Sequence, residues 1–212
     1  MPRPTFDAAN SSTYAVSVTV GTATMAFASM VEVGSAPPDD LTWGGNTMTS
    51  IVTGSNVNRH ARLARYAPPG SGAQAVSTND PNAISCVQRC GMTLLDVDTA
   101  TPVATSGTSN GTTASVSIAV GTVTADQIVV WAIHTPTNGT ETISAGTATT
   151  VRAQSNTPDN NPVAIGTATG DINLTWSGAR DWLIVWAVVN GTPSGPTATP
   201  ALGRYRVIGG GR

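Results

Sequence analysis

The chain has no lysine, and its 212 residues include only two glutamates (Glu32, Glu141), two histidines (His60, His134) and two cysteines (Cys86, Cys90). Charged residues make up 10% of it, against about 25% in an average globular protein. With 40% apolar residues, this is the reverse of a solvated disordered coil, which needs high charge and low hydrophobicity. The chain is expected to fold and to carry little electrostatic protection on its surface. A net charge of -2 supplies no basic face for phosphates, so no nucleic-acid partner is expected. The missing lysine has two readings: a codon bias toward arginine, or selection against hydrated amines at packed contacts, where arginine makes planar bidentate pairs. Composition does not separate them.

Long hydrophobic runs are also missing. The longest covers the eight residues from Trp182 to Val189, far short of the ~18 that a membrane span requires. The start, Met1 to Asp7, lacks the apolar core of a signal peptide. Synthesis in a cytoplasm and no membrane partner are the expectation. Two cysteines are too few for a disulfide framework, and four residues apart on a strand they stand ~13 Å from each other, so buried free thiols are expected.

Helical periodicity is the last absence, because 22 glycines and 14 prolines break the chain at short intervals. What the sequence does have is a two-residue beat. Tyr14, Val16, Val18 and Val20 alternate with small residues, as do Val116, Ile118 and Val120, and Ile172, Leu174 and Trp176. Such alternation puts one face of a strand in a core and the other in a polar skin. Strands are predicted near 14–20, 23–33, 48–53, 58–66, 84–95, 113–120, 127–134, 141–152, 162–167, 171–176 and 181–189. In 58–66, Arg59, Arg62 and Arg65 recur at a helical spacing, but the Pro-Gly that follows favours a strand. Proline-rich turns at 36–40, 68–72, 79–82 and 157–162 punctuate the strands.

The expected fold is all-β, a two-sheet antiparallel β-sandwich or jelly roll over residues 1–190. Gln127–Ile133 and Trp182–Val189 are apolar at every position or nearly so, which predicts sheet centres covered on both faces. A loop, the tail or a neighbouring subunit are the candidates for the second cover. Residues 191–212 read as an extended arm, proline-rich to Pro200 and ending in a short alternating strand. Leu202, Arg204, Tyr205, Arg206, Val207 and Ile208 are its candidate partner-binding residues, since an apolar strand on an arm invites pairing with another chain or with its own domain.

Reactive chemistry is sparse. Gly107-Thr-Ser-Asn-Gly111 has the G-x-S-x-G spacing of a hydrolase elbow, but a strand rather than a helix is expected after it. His134 ends an apolar strand and reads as a strand-end hydrogen bonder. Asp96 and Asp98 on one strand face, or Asp39 and Asp40 in a loop, offer oxygen ligands without the spacing of a calcium loop, so no metal is expected. Cys86-x-x-x-Cys90 lacks a second ligand pair for zinc. No catalytic residue and no cofactor are assigned. Four of the five tryptophans sit on apolar strand faces and read as core; Trp43, beside Gly44-Gly45, is the candidate exposed ligand contact.

Several segments resemble a family of β-sandwich (jelly-roll-like) modules found in tailed-bacteriophage virion proteins of the decoration or cement type and in some secreted bacterial proteins. They are LTWGGNTMT (41–49), similar to the family's T-x-x-G-x-x-M/L-T segment; RLARYAPPG (62–70), similar to its strand into a Pro-Gly turn; MTLLDVDTATPV (92–103); and NLTWSG (173–178) through WLIVWAVV (182–189). The resemblance implies a non-enzymatic virion structural protein. On that footing the expectation is a capsid decoration protein located in the virion, a homo-oligomer such as a trimer, with the major capsid protein or other virion proteins as partners. The alternative is a carbohydrate-binding or host-adhesion module on a fibre or cell surface.

Overall fold

In a computed structural model, residues 2–12, 16–33, 41–56, 59–78, 86–135, 141–155 and 162–193 are described. Tyr14, Asp39, Asp40 and the whole arm from Ser194 onward, including Leu202, Arg204, Tyr205, Arg206, Val207 and Ile208, lie outside the described residues. Strands occupy the chain in two runs. The first comprises β1 (Thr5–Ser12), β2 (Val16–Val20), β3 (Met25–Val33), β4 (Leu41–Trp43), β5 (Asn46–Thr47), β6 (Thr49–Asn56), β7 (Arg59–Tyr66), β8 (Gly72–Thr78) and β9 (Cys86–Leu95). The second comprises β10 (Val103–Gly111), β11 (Ser115–Ile118), β12 (Gln127–His134), β13 (Ser144–Ala145), β14 (Thr149–Ser155), β15 (Val163–Ala168), β16 (Ile172–Thr175) and β17 (Trp182–Asn190).

The class is all-β and antiparallel, as the alternation predicts, but the sheets number four rather than two. The first run forms an outer sheet β2-β8-β4-β5 and an inner sheet β1-β9-β3-β7-β6; the second forms an inner sheet β10-β17-β12-β15-β14 and an outer sheet β11-β16-β13. Three apolar layers hold the stack together. Val16, Val18, Leu41, Trp43 and Val76 of the first outer sheet pack on Ala26, Ala28, Met30 and Ala64 of the first inner sheet. The opposite face of that inner sheet, with Met25, Phe27, Leu63 and Met92, meets Val130, Ile165, Val185 and Ala187 of the second inner sheet. Val129, Trp131, Ile133 and Ile184 then turn the other way, onto Val116, Ile172 and Leu174.

This order explains why the sequence is apolar at nearly every position of β12 and β17. Each lies inside the second inner sheet, between two apolar layers, and successive side chains enter opposite layers. The cover for the second face is the other half of the same chain. The segment carrying Arg59, Arg62 and Arg65 is strand β7, paired on both sides by β3 and β6.

The two runs follow one topology. Reading β1, β9, β3, β7 and β6 against β10, β17, β12, β15 and β14 superposes the inner sheets strand for strand, and β2, β8 and β4 match β11, β16 and β13. The registers agree residue by residue. Met25 pairs with Leu94 where Ile128 pairs with Val189. The β1–β9 ladder is bulged at Asp7 and the β10–β17 ladder at Ala104, the corresponding position. A second bulge falls at Ile51 in the β6–β7 ladder and at Arg152 in β14–β15, again in corresponding places. A bulge inserts one unpaired residue at one specific site, so two coincident bulges in separate ladders are strong evidence of an internal repeat. The sequence carries its trace: VSVTVGTAT at 16–24 and VSIAVGTVT at 116–124 are identical at six of nine positions.

Contacts across the central layer are reciprocal, β1 against β14 and β10 against β6, β9 against β15 and β17 against β7. The two halves therefore face each other about an approximate twofold axis. The crossing between them bridges Val97 to Gly191, with Thr192 N–H donating to Asp96 O at 2.8 Å. A side chain at Gly191 would collide with the Pro2 carbonyl, so Gly191 is packed against the start of the described chain.

Candidate functional site

The middle layer holds a polar cluster. Ser29 on β3 and Gln88 on β9 come from the first half, and His134 closes β12 of the second. Ser29 Oγ lies 2.9 Å from His134 Nε2, and His134 Nδ1 lies 3.1 Å from Gln88 Oε1. The Gln88 amide donates to the Thr135 and Pro162 carbonyls at 3.1 and 3.4 Å. Because that amide nitrogen is committed as a donor, Gln88 Oε1 accepts, Nδ1 carries the imidazole proton, and Nε2 accepts from the Ser29 hydroxyl. Burial pulls the His134 pKa down to about 3, and the nearby Arg59 adds to the effect. The ring is neutral.

A serine hydroxyl donating to a histidine that is oriented by a third side chain is the arrangement of a nucleophile and its base. Here Ser29 and Gln88 are 0% exposed and His134 2%, so no substrate reaches the hydroxyl in this structure. What the cluster does is hydrogen-bond the Ser29, Gln88 and His134 side chains to one another and to the Thr135 and Pro162 carbonyls, as a low-dielectric interior demands of buried polar groups. Its members come from both halves, so it ties them together. Reading the sequence alone assigns His134 a strand-end hydrogen bond but passes over Ser29 and Gln88. Their signal was a polar residue at an inward position of a strand otherwise apolar on that face.

The G-x-S-x-G segment lies wholly within strand β10, with Ser109 paired to Ile184. Its glycines serve packing. Gly107 pairs with Trp186 and Gly111 with Trp182, and a Cβ on either would sit 2.5 or 2.7 Å from the indole ring of its partner. Two rings four residues apart on one strand thus require two glycines four residues apart on the next, which produces the elbow-like spacing without its turn.

Trp43 is corrected by the structure. It is 0% exposed, and its indole N–H donates to the Pro69 carbonyl at 2.8 Å, because the β4 turn folds its ring beneath the first outer sheet. It offers a ligand no surface. Trp131, Trp176 and Trp182 are buried and Trp186 is half-buried, as expected of core; Trp176 and Trp182 meet edge to face at 6.5 Å.

Cys90 is buried in the central layer, and desolvation pushes its thiol up to about 12. Asp96 and Asp98 do not share a strand face, since β9 ends at Leu95. Asp96 takes a positive φ of 57°. Asp98 turns back to accept from Ala100 N–H, Thr101 N–H and Thr101 Oγ1–H, bonds that hold its carboxyl below the usual range. Among the described residues no three of His, Cys, Asp and Glu gather as a metal site would require.

A polar open cleft, about 450 Å³, lies at the edge of the second outer sheet and is lined by Glu141, Thr142, Ser144, Thr175, Trp176 and Ser177. Arg180 pairs with Glu141 beside it, leaving the cleft hydroxyl-rich and without net charge. Comparison of the chain with protein-family models, with curated proteins and with solved structures finds no match in any of the three.

Proposed function

We propose that the chain is a non-enzymatic structural component of a bacteriophage particle, most specifically a capsid decoration (cement) protein. The observation that supports this is the character of the two outer faces. On the first outer sheet Ser17, Thr19, Ala73 and Ala75 point outward; on the second, Ser115, Ser117 and Thr175 do. Both faces are small, uncharged and carried on closely packed sheets, and they lie at opposite ends of the stack. Side chains this short lose little entropy on being covered, so such a body suits repeated contacts on a lattice. The resemblance of 41–49, 62–70 and 173–189 to virion sandwich modules points the same way. Residues 191–212, read from the sequence as a proline-rich arm, are the proposed contact to a neighbouring capsid subunit.

Particles lacking the protein, mixed with purified protein and imaged by cryo-electron microscopy, test the reading. Regular extra density on the shell, weakened when residues 194–212 are removed, is the expected result. Protein that stays wholly in the supernatant defeats it. A second reading, glycan binding, has one observation in its favour, the hydroxyl-lined cleft beside Glu141 and Arg180. It predicts signal on a glycan array that Glu141→Gln abolishes.

A further inference from the structure

The internal repeat makes the central layer self-complementary at most positions and breaks that symmetry at one place. The ladders equate Met25 with Ile128, Phe27 with Val130, Leu63 with Ile165, and Leu94 with Val189, and all eight lie in the same apolar cluster. An interface in which each residue faces the counterpart's neighbours is the signature of a twofold dimer. Each half also has a private core between its own inner and outer sheets, as a free-standing sandwich of about 100 residues does.

The exceptions are the polar residues. By the same registers Ser29 corresponds to Ala132, His134 to Val31, and Gln88 to Leu183. The symmetry-related copy of the Ser29–His134–Gln88 cluster is thus Ala132–Val31–Leu183, wholly apolar and buried in the same layer. Were a first half to pair with another first half, Ser29 and Gln88 would face Val31 twice and lose the imidazole, as well as the Thr135 and Pro162 carbonyls. Were a second half to pair with a second half, His134 would face Ala132 and Leu183 with neither nitrogen bonded. Only unlike halves satisfy Ser29, Gln88 and His134 together. A buried donor or acceptor left without its partner costs far more than the bond contributes when made, and wrong pairings are suppressed in this way.

We infer that the central layer is a dimer interface internalised within one chain, and that Ser29, Gln88 and His134 form a one-sided polar key selecting the pairing of first half with second half over either half with itself. The partner of each inner sheet is therefore the other half of a chain. The key guards against exchange between chains through like halves, a hazard for any protein concentrated on a lattice.

The test uses the full chain with a site-specific protease sequence inserted between Thr99 and Ala100, both exposed in the crossing. After cleavage, unfolding in urea and dilution, native mass spectrometry counts the pairs. The expected result is a ratio of mixed to like pairs of about tenfold or more, where random pairing of equal halves gives equal numbers of each. In the triple variant Ser29→Ala, Gln88→Leu, His134→Val, each residue takes its counterpart's identity, and the pairs should approach random proportions, with circular dichroism still reporting strand. Cleaved wild-type halves that fail to reassociate, or that pair at random, overturn the inference. So does a triple variant that keeps the full preference for mixed pairs, or one that does not fold.

Discussion

Acidification should destabilise this protein through His134 before its carboxylates begin to titrate. The imidazole has a pKa of about 3 in the folded chain and an ordinary value of 6.5, so the unfolded chain binds the extra proton throughout the window between them. Stability that is complete above pH 6.5 is therefore lost as the pH falls, and the loss stops growing only below the folded value. Integrating over one site gives about 2 kcal/mol lost at pH 5 and about 3 kcal/mol at pH 4. Urea unfolding followed by tryptophan fluorescence at pH 7, 5 and 4 measures this directly. The Ser29→Ala, Gln88→Leu, His134→Val variant has no proton to bind at this position, so its stability at pH 5 should fall short of its pH 7 value by about 2 kcal/mol less than wild type does. Parallel curves for the two proteins would refute the reasoning, because they would mean that the ring is protonated as easily inside the layer as outside it.

Gly166→Ala should cost about 3 kcal/mol in the same assay, since its Cβ would stand 2.2 Å from the Thr150 carbonyl and 2.3 Å from the Trp131 ring, neither of which can yield. Gly107→Ala should cost about 1 kcal/mol, because the half-buried Trp186 can swing outward. Trp43→Ala should lower stability by about 3–5 kcal/mol and produce no change on a glycan array specific to that residue; a stable variant that loses ligand binding would reinstate Trp43 as a surface contact. Native alkylation followed by peptide mapping should leave Cys90 unmodified until denaturant is added, given its burial and a thiol held near 12.

Strands with an alternating apolar face were legible in the sequence, and strand β12 was read at its observed limits. Strands β1, β8 and β10 were not, and the reason is physical. TFDAANSS, GAQAVST and VATSGTSNG hold few apolar residues, so their strand state comes from pairing with β9, β2 and β17 rather than from any face of their own. The number of layers was missed for a related cause. Apolar residues on both faces of β12 and β17 announce two covers, but composition does not say whose. The recurrence of V-S-x-x-V-G-T-x-T at a spacing of 100 residues was the available signal for a second sandwich in the same chain. Of the candidate site, His134 was placed correctly as a hydrogen bonder, whereas Trp43 was misjudged because Gly44-Gly45 reads as an exposed turn even though the turn tucks the ring inward.

The four-layer stack changes which surfaces are open to assembly. An apolar strand face that lacks a cover within its own chain requires one from elsewhere, and β12 and β17 would have demanded an oligomer on that ground. Both are covered by the chain's other half, so the core imposes no oligomeric state. On the proposed function, contacts with other proteins fall to the uncharged outer faces and, among the described residues, to the edge strands of the outer sheets, β2, β5, β11 and β13. Contacts of short hydroxyl and methyl side chains are individually weak and need repetition to hold. A doubled sandwich presents two such faces at once on one packed body, and its binding should therefore depend steeply on the spacing of partner sites and only slightly on salt.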